Sequence, residues 1–530
     1  MSATTLGRTP SARAGVAAER VPLRSWIAVG GGVLGAFMAV LDIQITNSSL
    51  ADIQGALGAS LDEGSWISTG YLIAEIIVIP LTGWLALVFG MRRLLVVSCV
   101  LFLGFSMLCG LATSLQQMIL FRIGQGFTGG VLIPLAFTIL LVKLPMSKRA
   151  IGSAMFGFSA TFAPAIGPTL GGWLTETYSW HWIFYINLVP GAVLIAMIWY
   201  GLDNTPAQLG RLRRGDWGGI LSMAIGLGCL EYVLEEGQRK DWFGNDTIRL
   251  CAWLAAIFLV AFVVIEFVRR EPFINLRLLG KRSLGSACLM NLATGLGLYG
   301  SIYITPIYLT QVQGYNALQI GHVLMWMGLP QLALFPFLPL ILKHVDSRVV
   351  CAFGIALFAV SCFMNGFTMN HDTAIDQLKY SQLVRALGQP LLMSPLSQMA
   401  TIGIAASQAG SASALFNMCR NLGGSIGIAL LATVVEHREH FHFSIISERL
   451  TQNSAIVAER LGSMAMTLGA EGGDATMRAT AELTLMVRRE ALTMAFADCF
   501  TLIGITLTLS IGGAFFLARA AGGGGGGGGH

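Results

Sequence analysis

Charge is what this chain has least of. Only 12% of its 530 residues are Asp, Glu, Lys or Arg, about half the share of an ordinary soluble domain, while 54% are hydrophobic. That combination excludes a soluble globular protein and points to a chain that uses the bilayer as its solvent. Basic and acidic residues nearly balance, 33 against 28, so no nucleic-acid partner is expected. The 8 histidines form no H-E-x-x-H, and no G-x-x-x-x-G-K-[ST] loop is present, which excludes zinc hydrolases and nucleotide-driven motors of those kinds. No catalytic set, metal site or cofactor is therefore expected, and energy has to come from an ion gradient. The nine cysteines, at 99, 109, 229, 251, 288, 351, 362, 419 and 499, form no C-x-x-C pair and fall inside apolar runs. They read as small buried hydrophobes rather than disulfides or ligands.

Long apolar runs, in contrast, are plentiful. Fourteen are long enough to cross a bilayer as helices: 26–48, 66–87, 94–112, 118–142, 150–172, 182–202, 216–234, 249–268, 283–309, 319–342, 348–368, 380–402, 411–435 and 491–519. The fold class expected is an all-α polytopic membrane protein with lipid as its first partner. With the N-terminus inside, twenty of the 33 basic residues fall in inner loops and tails, among them Arg8, Arg13, Arg20, Arg24, Arg92, Arg93, Arg214, Arg270 and Arg519. The short outer loops receive only Arg239, Lys240, Arg249 and Lys379. The basic excess therefore places both termini in the cytoplasm. The expected segments are a tail at 1–25, a six-helix half at 26–202, two further helices at 216–268, a second half at 283–519 containing an outer loop at 436–490, and a glycine-rich tail at 520–530. That last tail is low-complexity and carries no functional reading.

Residues 150–172, AIGSAMFGFSATFAPAIGPTLGG, organise the rest. Ala163, Gly167 and Gly171 fall four apart on one helical face and invite another helix very close. Pro164 and Pro168 each remove a backbone donor, a cost a membrane helix can bear where neighbours re-satisfy the freed carbonyls. The expectation is a kinked, closely packed, deformable helix.

Few charges lie inside the runs, and each is a candidate by default because burying one costs several kcal/mol, about 2.5–3.5 on insertion scales. Asp42 in the first run needs a partner or a proton. Arg122 in the fourth needs a counter-ion, and Asp42 is the best one available, in which case the two would titrate together. Glu75 in the second run has two readings: a carboxyl that takes up and releases a proton, or a neutral glutamate hydrogen-bonded to a neighbouring helix. Arg385, Arg420 and Asp498 in the second half are possible cavity charges or structural pairs, and His322 is a weaker candidate of the same kind. Glu231 and Glu266, near the ends of runs seven and eight, read as interfacial anchors.

Several motifs bring a resemblance with them. The run A-P-A-I-G-P-T-L-G-G, carrying Pro164, Gly167, Pro168, Gly171 and Gly172, is similar to the fifth-helix antiporter motif of exporters in the major facilitator superfamily, with Ala163 at its first glycine. Leu41, Asp42, Asn47 and Leu50 resemble the first-helix motif of the fourteen-helix drug:proton antiporters, with Gln44 and Ala51 departing from it. Arg122, Gln125 and Gly126 match the R-x-x-Q-G motif, and W-H-W-I-F-Y-I-N from Trp180 to Asn187 resembles a subfamily signature in which His181 replaces an arginine. G-W-L-A-L-V-F-G-M-R-R, from Gly83 to Arg93, is similar to the superfamily's cytoplasmic loop motif, but Leu87 and Val88 stand where its charged latch belongs. The resemblance implies a major facilitator fold of the EmrB/QacA type, two six-helix halves plus two inserted helices. It further implies proton-coupled efflux of amphipathic small molecules from the bacterial inner membrane, with Asp42, Glu75 and Arg122 in proton coupling and helix five in the conformational change.

An internal repeat agrees. Ser153, Ala154, Phe156, Ile166 and Gly167 recur 260 residues later as Ser413, Ala414, Phe416, Ile426 and Gly427, and a binding cavity at the repeat interface follows from such an architecture. The loop at 436–490 alternates charged and apolar residues like amphipathic helices that need a partner surface. It either packs on itself or, as the resemblance implies, docks a periplasmic adaptor that leads to an outer-membrane channel. An importer or uniporter on the same fold, or a membrane enzyme or sensor, is the alternative function.

Overall fold

The computed structural model describes residues 21–213, 215–269, 272–450, 455–467, 473–514 and 516–517. Of the expected tails, residues 1–20 and 520–530 lie outside the described residues, as do Arg8, Arg13, Arg20, Arg214, Arg270 and Arg519, while residues 23–25 already belong to the first helix. Among the described residues, fourteen long helices follow one another: α1 (Leu23–Ser48), α2 (Trp66–Phe89), α3 (Met91–Gly110), α4 (Leu115–Lys143), α5 (Arg149–Thr177), α6 (Trp182–Gly201), α7 (Trp217–Glu236), α8 (Asp246–Val268), α9 (Arg282–Gln311), α10 (Leu318–His344), α11 (Ser347–Thr368), α12 (Ile375–Ala400), α13 (Ala409–Arg449) and α14 (Gly473–Ala514). Thirteen of them are apolar enough to cross a membrane by composition. The exception is α12, whose Gln382, Arg385, Gln389, Ser394 and Ser397 lower its hydropathy and are all buried against other helices. Protein rather than lipid surrounds its polar groups, so it spans without being apolar.

Side-chain caps start several helices. Ser114 accepts from the Gln117 N–H at the head of α4, Asp216 from Gly219 at α7, and Asn245 from Thr247 and Ile248 at α8. Each satisfies an orphan backbone donor. The opposite pattern marks lipid contact: Leu250, Trp253, Ile257, Val260 and Val264 of α8 form an exposed apolar stripe at helical spacing.

The helices pack as two related sets. In the first, α5 lies on α1, α4 on α2 and α3, and α6 on α1; in the second, α13 lies on α9, α12 on α10 and α11, and α14 on α9. The sets meet where α5 packs on α10 and α12, and where α13 packs on α2 and the second half of α4. The intervening α7 and α8 pair with each other, and α7 also rests on α2 and α13. This is the two-halves-plus-two arrangement expected from the internal repeat.

At the expected inner end, Asp203 after α6 takes Lys143 Nζ at 2.7 Å and Arg24 Nη1 at 3.0 Å. It thereby ties the ends of α1, α4 and α6, and the Lys143 ammonium holds this exposed carboxyl below its ordinary range. The loop motif lacks its charged latch, and its first glycine, Gly83 of α2, lies against the Gly410 backbone of α13, where an added Cβ would come within 2.9 Å.

The outer loop differs most from the sequence expectation. Residues 436–449 and 473–490 are continuations of α13 and α14, which run unbroken for 41 and 42 residues. Neither glycine nor proline interrupts 428–461, so no residue ends the helix at the membrane surface. At about 1.5 Å per residue each helix is about 60 Å long, twice the hydrocarbon thickness of about 30 Å. The short helix Ala455–Thr467 packs on α14.

Candidate functional site

Asp42 lies in the last two turns of α1; its own carbonyl accepts from Thr46 Oγ1 at 2.8 Å, and its side chain is 1% exposed. Three donors from two other helices converge on the carboxylate. Arg122 of α4 donates through Nη1 to Oδ2 at 2.6 Å; Gln125, one turn on, donates through Nε2 to Oδ1 at 2.9 Å; Asn187 of α6 donates through Nδ2 to Oδ1 at 2.7 Å. Arg122 also bonds Gln125 Oε1 at 2.8 Å and the Ile67 carbonyl at 3.3 Å, and its guanidinium stacks over Tyr71, 4.3 Å from the ring centroid. Ser106 of α3 accepts from Asn187 at 3.1 Å and donates to the Phe184 carbonyl at 2.8 Å. Every polar partner needed to keep an ion pair in a dry interior is present, which is the condition under which such a pair offsets its desolvation.

The spacing R-x-x-Q explains part of this geometry, because residues three apart share a helix face. Glycines allow the close approach: a Cβ on Gly126 would meet the Tyr71 backbone. Sequence reasoning brought Asp42 and Arg122 together but gave Asn187 no role. The signal was the asparagine that ends W-H-W-I-F-Y-I-N. His181, in the same stretch, stacks on Trp180 at 3.7 Å and is pushed below its ordinary range by burial, which favours the interfacial reading over pH sensing.

Glu75 of α2 is 2% exposed and accepts from Asn421 Nδ2 of α13 at 3.4 Å. It lines a cavity of about 60 Å³ with Gln44, Asn47, Tyr299 and Ser425, between the two sets of helices. Arg420 is buried to 1% on α13, and its charge acts on Glu75 and Tyr299. None of its three guanidinium nitrogens has a hydrogen-bond partner among the described residues.

The remaining candidates fall elsewhere. Arg385 is fully buried on α12, with Nη1 4.0 Å from Met327 Sδ and the guanidinium 5.6 Å from the Phe358 centroid. It stands where Arg122 stands in the first half, but among the described residues no carboxylate meets it. Asp498 joins neither arginine: it binds Arg438 at 2.6 Å and His442 at 2.8 Å between α13 and α14. His322 is exposed. Two glutamates differ from their expected place at the interface. Glu231 is buried to 1% and accepts from Ser425 Oγ at 2.7 Å, and Glu266, equally buried, accepts from the Ile274 N–H at 3.3 Å. The reason is that their helix ends are covered by α13 and by the connection after α8.

α5 continues through Pro164 and Pro168 as one helix. Its small-residue face meets α1: a Cβ on Gly167 would collide with Gln44, and one on Gly171 would lie 2.8 Å from the Ile45 carbonyl and collide with Ser48. Gly172 is buried beside them. The opposite side borders the second half, where Thr169 Oγ1 donates to the Gly321 carbonyl at 2.8 Å and Phe158 meets Phe335 edge-on at 4.9 Å.

Comparison with known proteins places this geometry in context. The family profile described as Major Facilitator Superfamily matches residues 32–428. The chain is 32% identical over 501 residues to the colistin resistance protein EmrB of Acinetobacter baumannii, an alignment covering 94% of this chain and 98% of that one. It is also 32% identical over 458 residues to the multidrug export protein EmrB of Haemophilus influenzae, covering 82% and 90%. Among solved structures, the human organic anion transporter MFSD10 superposes with a TM-score of 0.56 at 13% identity, covering 91% of this chain and 99% of that one. The last likeness concerns the fold alone.

Proposed function

The chain belongs to the major facilitator superfamily, and from that membership we propose that it exports drugs and other amphipathic small molecules across the bacterial inner membrane, with both termini cytoplasmic and inward proton movement as the energy source. Relatives named for multidrug export and colistin resistance support the efflux reading. The observation that carries the coupling is the Asp42 network: one carboxylate, sealed from solvent, holds α1, α4 and α6 together through three donors.

A proton reaching Asp42 from outside cancels the charge that Arg122 and the two amides are arranged around. Arg122 keeps the Ile67 carbonyl and the Tyr71 face, so it has somewhere to turn. With α1 released from α4 and α6, the close contact of Gln44 and Ile45 with Gly167 and Gly171 transmits the change to α5, which borders α10 and α12. The two halves then rock about a cavity at their interface, as alternating access requires. Glu75, on the cavity wall, is the second proton site of this scheme.

The test is substrate-induced proton release in proteoliposomes, comparing the parent with Asp42→Asn. Release in the parent and its loss in the variant, with binding retained, supports antiport at Asp42. Release unchanged in the variant moves the site, and transport without proton movement in the parent overturns coupling in favour of a uniporter.

The reading extends to a tripartite pump. The extension of α14 carries exposed Met477 and Leu485, and the short helix Ala455–Thr467 packed on it carries exposed Ile456 and Met466, an apolar surface suited to a periplasmic adaptor leading to an outer-membrane channel. Co-purification of such an adaptor, lost on deleting 440–485, supports docking; equal recovery after the deletion overturns it.

A further inference from the structure

The inserted helix α7 does more than bridge the halves. It packs on α2 and α13 and sets two glutamates, Glu231 and Glu235, on the wall of the cavity that Glu75 lines from the other side. Their spacing of four residues puts both on one face. Glu231 is 1% exposed; one of its oxygens accepts from Ser425 Oγ at 2.7 Å, and the other, Oε2, has no hydrogen-bond partner among the described residues.

Every element around the cavity contributes to its balance. α1 supplies the neutral amides Gln44 and Asn47, α2 supplies Glu75, α7 supplies Glu231 and Glu235, α9 supplies the Tyr299 ring, and α13 supplies Asn421 and Ser425. Arg420 approaches from α13, where its charge acts on Glu75 and Tyr299, but it is not part of the lining. Among the described residues the wall therefore holds three carboxyl groups and no cation. A buried carboxylate oxygen without a donor is costly, and the cost is recovered when a cation enters.

We propose, on the exporter reading above, that Glu231 with Glu75 and Glu235 forms a subsite for the positively charged group of an amphipathic organic cation, and that Glu231 determines the preference for cationic over uncharged substrates. About 60 Å³ admits a few waters or one ammonium-sized group. The face of Tyr299 adds a cation–π contact, and Ile43, Leu72, Ile76 and Ile428 at the rim receive an apolar body.

Glu231→Gln tests this, because glutamine keeps the shape and an acceptor for Ser425 while removing the charge. In proteoliposomes, the concentration of 1-naphthylmethylammonium giving half-maximal export is expected to rise at least tenfold. Export of the uncharged probe N-phenyl-1-naphthylamine is expected to stay unchanged, and Glu231→Asp to restore most of the cation preference. Equal losses for both probes, or no change for either, overturn the subsite. Equilibrium dialysis of 1-naphthylmethylammonium against the purified full chain keeps the two readings apart. Binding that weakens tenfold in the variant supports the subsite even where the parent moves neither probe, a result that overturns the exporter reading alone. Equal binding by parent and variant, or none by the parent, overturns the subsite. Should Glu231→Gln fail to fold, Glu235→Gln gives the same comparison from the next turn, with a smaller rise supporting the subsite and none overturning it.

Discussion

Gly83 of α2 and Gly410 of α13 touch backbone to backbone, so that a Cβ on either would lie 2.9 Å from the other residue. The contact joins the two halves at the end where the superfamily's charged latch is missing, and close packing takes the place of charge. Valine at position 410 has nowhere to go without separating α2 from α13. Overpacking of this kind costs about 1–3 kcal/mol, so Gly410→Val is expected to lower export roughly tenfold or more while leaving a monodisperse, folded protein. Transport rate set against the chromatographic profile checks this. Gly83→Val is expected to behave the same way.

The ion pair of Asp42 and Arg122 makes an asymmetric prediction. Removing only the arginine strands a carboxylate among amides, and breaking a buried pair costs about 3–5 kcal/mol. Arg122→Ala is therefore expected to melt well below the parent in detergent. The double variant Asp42→Asn with Arg122→Gln carries no unpaired charge and is expected to recover most of that loss while remaining inactive in proton release. A double variant no more stable than Arg122→Ala would show that packing around the guanidinium, not charge, is what matters.

Asn187 reaches Asp42 Oδ1 from α6 at 2.7 Å and has no apolar role in that position. A hydrogen bond to a charged group contributes about 1.5–3 kcal/mol. Asn187→Leu is expected to destabilise the protein by about that amount, and Asn187→Ala by a similar amount less any gain from an entering water. Thermal melting of both, beside Ser106→Ala as a control that leaves the Asp42 contact intact, measures the difference.

Gly171 is the tightest point between α5 and α1, facing the Ile45 carbonyl and Ser48. Gly171→Leu is expected to abolish accumulation of folded protein in the membrane, whereas Gly172→Ala is expected to be much milder. Membrane yield and detergent melting temperature compare the two.

Arg438, His442 and Asp498 lock the roots of the outer extensions together, with the aspartate still 36% exposed. Exposed pairs contribute about 0.2–1 kcal/mol and weaken with salt. Reversing Arg438 to Glu is expected to lower stability by no more than about that, with recovery on adding Asp498→Arg, and with the effect fading at 1 M salt. A larger, salt-independent loss would mean that the pair organises the extensions.

Composition and periodicity alone determined that this chain lives in a bilayer, that it crosses it in a series of long, mostly apolar helices, and that two related halves flank an insertion. Those properties are local, because hydrophobic length and repeated motifs are written in consecutive residues. The pairing of Asp42 with Arg122 was also legible, since so few charges are buried that each has few possible partners. What only the tertiary structure decided is where helix faces meet. It set the small-residue face of α5 against α1 while the opposite side took the second half, and it closed the Asp42 network with Asn187 from α6. It moved Asp498 away from the cavity, and turned Glu231 and Glu235 of α7 toward it. A helix in a membrane is apolar on every side, so its sequence carries little record of which side is covered by protein and which by lipid. That choice depends on the simultaneous packing of all its neighbours.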